Sequence, residues 1–246
     1  MVWKRVVVNK NIIAILQNKT GYHLRYWIIP FLVLIPLLVM YFSGVKWAQE
    51  LVCPSVNWEL GIVENLQILL LIMILIVCVM AIFRKKNRIE KVIFSFLSVF
   101  ALFVLLEEID YGLHFLRYFK GRSDTFFVDM TGKANVHNLG NNAKLFKRSI
   151  YPLMLVLFII TPLYVHKFKN PVFKYLIPNK WFVVTAIITI FSYAVPRLLV
   201  DLNILEDGGF GVNIGEFSEI MVYYIFFLYL YEVIFEKELQ LNSRRE

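Results

Sequence analysis

Six stretches of the chain are apolar over a length close to what a bilayer requires: 26–43, 61–83, 92–112, 149–166, 181–200 and 217–235. A spanning helix needs about 20 such residues, so the pattern predicts an all-α, polytopic transmembrane helical bundle of about six spans. The third stretch is the least regular. Its uninterrupted apolar run, from Val92 to Leu106, is followed at once by Glu107 and Glu108. That helix either starts earlier or carries carboxylates into the membrane. No internal repeat, low-complexity run or soluble domain interrupts the series.

The charged positions between the apolar runs orient them. Lys4, Arg5, Lys10, Lys19 and Arg25 precede the first run, and Arg84, Lys85, Lys86, Arg88 and Lys91 separate the second from the third. Lys167, Lys169, Lys174 and Lys180 separate the fourth from the fifth, and Lys237, Arg244 and Arg245 follow the sixth. All of these fall on one side, which the positive-inside rule makes cytoplasmic. Both termini are then inside, as an even number of spans requires. The expected organisation is a basic cytoplasmic segment over 1–25, a membrane domain over 26–235 and a cytoplasmic tail over 236–246. Within the first segment, 6–17 has the pattern of an interfacial helix. No cleavable signal peptide is recognisable, because the first long apolar run follows five basic residues.

Composition agrees. Hydrophobic residues make up 59% of the chain and charged ones 18%, and mean hydropathy is +0.65. A soluble domain of this size has no interior to hide that much apolar surface. The net charge of +8 is thereby explained as orientation and attraction to anionic lipid, with nucleic acid excluded as a partner. Cys53 falls in an outer loop and Cys78 deep in the second span, so no disulfide is expected.

The acids gather at the opposite face. Glu64 opens the second span, Glu107, Glu108 and Asp110 close the third, Asp201 closes the fifth, and Glu216 and Glu219 open the sixth. Charges at membrane depth are costly and mark functional positions by default. On a continuous helix, Glu107, Asp110, Tyr111 and His114 form one stripe about 100° wide. Within it, Asp110 and His114 can share a proton or a divalent metal ion, the one candidate cofactor. Glu216, Glu219 and Tyr223 form a similar stripe, and Glu64 shares a face with Gln67. Tyr193, Arg197 and Asp201 repeat every fourth residue around Pro196. The plainer account is that water-facing helix ends collect charge, with Glu64 and Glu216 complementing helix dipoles and Arg197–Asp201 an ordinary ion pair.

The outer loop 114–148 interleaves aromatic residues with Arg117, Lys120 and Arg122, a pattern suited to a membrane interface. It then turns polar at Asn135-Val136-His137-Asn138. Its seven basic residues oppose the positive-inside rule, so they need a cause such as a lipid phosphate or the acidic cluster. Candidate catalytic residues are Glu107, Asp110, His114 and His137. Candidate substrate-binding residues are Arg117, Lys120, Arg122, Asn135, Asn138 and Arg197, supported by Glu64, Glu108, Tyr111, Asp201, Glu216 and Glu219.

The run Glu107-Glu108-Ile109-Asp110-Tyr111-Gly112-Leu113, followed by Asn135-Val136-His137-Asn138, resembles an uncharacterised family of small multi-pass bacterial membrane proteins. That family shows Glu-Glu-Ile-Ser-Trp-Gly-Gln and then Asn-Leu-His-Asn. Asp110, Tyr111 and Leu113 depart from it. The resemblance implies a bacterial inner-membrane setting and the importance of these positions, and it supplies no activity.

Three functions fit this pattern. One is an enzyme acting on membrane lipid or a lipid-linked substrate at the outer leaflet, although no hydrolase, zinc-protease or phosphatase motif is present. Another is a non-enzymatic sensor or subunit that meets a protein partner through the basic cytoplasmic loops. The third is an ion- or proton-coupled transporter, or a pore between the subunits of a homo-oligomer.

Overall fold

The computed structural model of the chain describes residues 19–54, 61–112, 150–167, 175–204 and 215–237. Among them the regular elements are all helical. In chain order they are α1 (Gly21–Phe42), the short α2 (Lys46–Val52), α3 (Ile62–Arg84) and α4 (Arg88–Glu108). They continue with α5 (Ile150–Leu163), α6 (Phe182–Asp201) and α7 (Gly215–Glu236). Helices α1, α3, α4 and α7 are long and apolar enough to cross a membrane. Helix α5 and the apolar part of α6, Phe182–Ser192, are shorter.

Side-chain contacts fix the direction of each helix. Arg25 of α1 pairs with Glu236 of α7, while Tyr41 at the other end of α1 meets Phe217 at 6.1 Å between ring centroids. Helix α3 starts beside the start of α7, through Gln67 and Glu216, and ends with Arg84 over Phe235. Helix α4 returns, bringing Glu108 to Tyr223. Helix α5 begins at Ser218 through Tyr151, and α6 begins beside Tyr26 through Phe182. The six longer elements therefore alternate in direction. One end of the bundle collects Glu64, Glu107, Glu108 and Glu216; the other collects Arg25, Lys85 and Lys237.

Helix α7 is the hub. It packs on α3 and α6 along its length and contributes to all three apolar clusters. Phe217, Ile220 and Met221 meet Leu37, Tyr41 and Val63; Val233 and Ile234 meet Val77, Ala81 and Phe94; Ile225 meets Phe158 and Phe182. By contrast α4 turns Phe96, Val99, Phe100 and Phe103 outward, all exposed. A continuous apolar face of that kind matches hydrocarbon, not water. The protein is an integral membrane protein.

The boundary of the third predicted span is resolved. Helix α4 starts at Arg88, four residues earlier than the apolar run, because the Asn87 side chain accepts the Ile89 N–H at 2.9 Å and caps the first turn. It then ends at Glu108, not at 112. Arg25 also moves: it lies inside α1 and is buried.

Two helices change from α to π geometry just before a proline, at Leu24–Ile28 before Pro30 and at Leu155–Ile160 before Pro162. Proline lacks an N–H and crowds the carbonyl four residues back, and a π turn gives that carbonyl room. Carbonyls in these turns also accept from side chains. Tyr224 Oη donates to the Arg25 carbonyl at 2.7 Å, Thr185 Oγ1 to that of Tyr26 at 2.8 Å, and Thr161 Oγ1 to that of Leu157 at 2.6 Å. On α1 those side chains come from α6 and α7, which ties the proline-bearing turn to both helices.

Candidate functional site

The acidic end is built from three helices. Glu64 and Gln67 lie one turn apart on the inner face of α3, with 4% and 0% exposure. Their placement depends on Gly61, the N-cap of α3. A Cβ there would stand 2.3 Å from the Val52 carbonyl oxygen, so only glycine lets the end of α2 approach so closely. Gln67 Nε2 donates to Glu216 twice, at 3.0 Å to Oε2 and 3.1 Å to the main-chain oxygen. The Glu64 carboxyl meets that of Glu216, with Glu108 and Glu219 within electrostatic reach. Oε1 of Glu64 and Oε1 of Gln67 are buried without a hydrogen-bond donor.

Two carboxyl–phenol pairs complete the acidic end. Tyr223 Oη donates to Glu108 Oε1 at 2.5 Å, joining α7 to α4. Tyr111 Oη donates to Glu107. Burial, and then the Glu107 hydrogen bond and charge, push the Tyr111 phenol up to about 12. Glu107 is buried, whereas Glu108, Tyr111, Glu216 and Glu219 are half-buried.

The sequence stripes are only partly realised. Glu107 and Tyr111 do touch, but not on a continuing helix. Tyr111 adopts left-handed backbone angles (φ 54°, ψ 31°) and Gly112 follows at φ 89°. A helix cannot run through that geometry, so α4 ends before Tyr111; the expected pairing of Asp110 with His114 lies outside the described residues. The α7 stripe splits its work, Glu216 facing α3 and Tyr223 facing α4. Helix α6 runs past Pro196 to Asp201, where Asp201 is exposed. The side chains of Asp110, Tyr193 and Arg197 lie outside the described set, as do residues His114, Arg117, Lys120, Arg122, Asn135, His137 and Asn138 entirely. Among the described residues no three His, Cys, Asp or Glu are grouped to hold a metal ion.

A second polar cluster occupies the opposite end, and the sequence reading did not assemble it. The buried Arg25 guanidinium donates to Glu236, and Tyr26 Oη donates to Glu232 Oε2 at 2.8 Å. Lys237 Nζ lies 3.2 Å from Glu232 Oε1 and donates to the carbonyls of Tyr175 at 2.8 Å and Ile177 at 2.5 Å. Burial pushes the Lys237 ammonium below the usual lysine range, opposed by Glu232. The available signal was the pair Glu232 and Glu236, four apart at the end of an apolar run. With twenty residues between Glu216 and Glu236, the two clusters stand about 30 Å apart, the thickness of a hydrocarbon core.

The chain matches no protein-family model, and no curated protein or solved structure is significantly similar to it.

Proposed function

We infer that the chain is a six-span protein of the bacterial inner membrane, with both termini in the cytoplasm and the acidic end outward. In this reading the acidic end performs acid–base chemistry on a lipid or lipid-linked substrate of the outer leaflet. The alternation of helix directions and the basic loops at one end support the topology. The observation that carries the chemistry is the Glu108–Tyr223 pair, a half-buried carboxyl held by a phenol from another helix.

Such a carboxyl can take a proton from an attacking hydroxyl while the phenol holds it in position. Helix α4 borders the lipid, so a substrate moving along its apolar face arrives at Glu108. Arg117, Lys120, Arg122 and Arg197 would meet a phosphate, and Asn135, His137 and Asn138 would complete the pocket. A divalent metal at Asp110 and His114 belongs to the same proposal, as does the family resemblance at 107–113.

Two measurements test it. A membrane-impermeant thiol reagent applied to intact cells should label Cys53 and miss a cysteine placed at Asn87; the reverse pattern overturns the topology. Lipid mass spectrometry and elemental analysis should find a phospholipid or metal on the wild type, and less on Glu108→Gln and Asp110→Asn/His114→Ala. Stable variants with identical lipid and metal content, and unaltered cellular lipid profiles, would shift the role to a partner-binding subunit.

A further inference from the structure

At the basic end the buried charges answer one another: Arg25 is held by Glu236, and Glu232 by Tyr26 and Lys237. The neighbouring corner, where the start of α1 meets the start of α6, is built differently. Asn179 Oδ1 accepts the Trp181 N–H at 3.2 Å and sets that indole at the entrance to α6. The His23 ring meets it edge-on, with 4.8 Å between centroids, and Lys180 Nζ stands 6.0 Å from the same ring. Trp27 Nε1 donates to His23 Nδ1 at 3.0 Å. An indole N–H can only donate, so Nδ1 is the acceptor and the imidazole keeps its own proton on Nε2. Among the described residues, no protein acceptor meets His23 Nε2 or the Lys180 ammonium. Neither helix brings an acid to this corner: α1 carries none, and the single acid of α6, Asp201, closes its far end.

An apolar track leads away from the two donors. Leu24, Trp27 and Phe31 follow one another along α1 at helical spacing and are 41%, 38% and 43% exposed. Tryptophan rings and lysine side chains at this depth border the headgroup layer, and basic pockets between spanning helices take anionic headgroups. We propose that His23 and Lys180, with Trp27 and Trp181 as walls, bind the phosphate of one anionic phospholipid, whose acyl chain lies along Leu24 and Phe31. A zwitterionic lipid would bring its own ammonium to Lys180, with no carboxylate to receive it. Free phosphate would leave the apolar track uncovered. The site is independent of the chemistry proposed for the acidic end, and it stands whichever leaflet the basic end faces.

The test is thermal unfolding of the purified full chain in detergent at one ionic strength, with phosphatidylglycerol, phosphatidylcholine or inorganic phosphate added. A ligand bound only by the folded state raises the melting temperature with its concentration. Phosphatidylglycerol should raise it saturably, and the other two should not. Lys180→Gln and His23→Phe should each require about tenfold more phosphatidylglycerol for the same rise, as loss of one charge-assisted bond implies. Lys91→Gln, which removes an exposed cation of α4, should leave the response unchanged. Lys180 is itself exposed, so its variant keeps the fold. An equal rise with inorganic phosphate would make the ligand the free anion and overturn the lipid. An equal rise with phosphatidylcholine, or an undiminished response in Lys180→Gln, overturns the site.

Discussion

Arg25 and Glu236, 211 positions apart in sequence, form a buried ion pair that closes the first helix onto the last. Both belong to π-helical stretches, Leu24–Ile28 and Glu232–Glu236. Removing one partner of such a pair leaves a buried charge uncompensated, which costs about 3–5 kcal/mol, whereas replacing both with apolar residues is far milder. Arg25→Leu and Glu236→Leu should each lower the unfolding midpoint in mixed micelles sharply, and the double variant should recover much of the loss. A double variant as unstable as the sum of the singles would mean that the two residues act separately.

The Tyr223–Glu108 hydrogen bond joins α7 to the peripheral α4. Its loss in Tyr223→Phe should destabilise the bundle by about 1.5–3 kcal/mol, the range for bonds to charged groups. Tyr151→Phe, which removes a neutral contact to Ser218 at 3.1 Å, should cost about 1 kcal/mol or less. Equal effects in detergent unfolding would argue against an ionised Glu108.

Gly61→Ala should be among the most damaging small substitutions. The new methyl group would meet the Val52 backbone and Pro54 Cδ, the latter at 2.9 Å, and backbone cannot swing aside as a flexible side chain can. Overpacking costs about 1–3 kcal/mol, and the displaced start of α3 carries Glu64 and Gln67 with it. The check is the melting temperature in detergent. A variant that melts as the wild type does would mean that the α2–α3 junction is soft.

Tyr111 should ionise late. The folded chain keeps this phenol protonated toward pH 12, and an unfolded chain only to about 10. Its contribution to stability is therefore complete below about pH 10 and is lost as pH rises toward 12. The phenolate absorbance of wild type minus Tyr111→Phe should show this late step. In Glu107→Gln the step should move down only part of the way, because burial is the larger cause. An unmoved step would remove Glu107 from the account.

The spans were readable because apolar run length is a direct physical requirement of a bilayer, and α1, α3, α4 and α7 follow the expected runs within a few residues. The charged first turn of α4 was not, since Arg88, Glu90 and Lys91 look like loop until Asn87 is seen to cap them. At the site, the contact between Glu107 and Tyr111 was legible from their spacing. The turn that produces it was not, because nothing in a tyrosine announces left-handed backbone angles. The pairing of Gln67 with Glu216 and of Tyr223 with Glu108 needed the packing of α7 between neighbours. Arg25 was hidden for another reason: charge near the end of an apolar run reads as loop, and its partner lay at the far end of the chain.

The prolines of α1 and α5 bear on how the molecule is made. A nascent α1 alone in the bilayer would lack the hydroxyls that reach its Arg25 and Tyr26 carbonyls in the finished bundle, and hydrocarbon supplies no water in their place. Their donors, Tyr224 and Thr185, emerge from the ribosome only with the last third of the sequence. Until then the first helix is without two of the hydrogen bonds that hold it in the bundle. Chains stopped after residue 180 should turn over quickly in cells, and Pro30→Ala, which returns an N–H to the Tyr26 carbonyl, should prolong their lifetime while loosening the finished bundle. In this protein a residue that weakens one helix is what commits it to its neighbours.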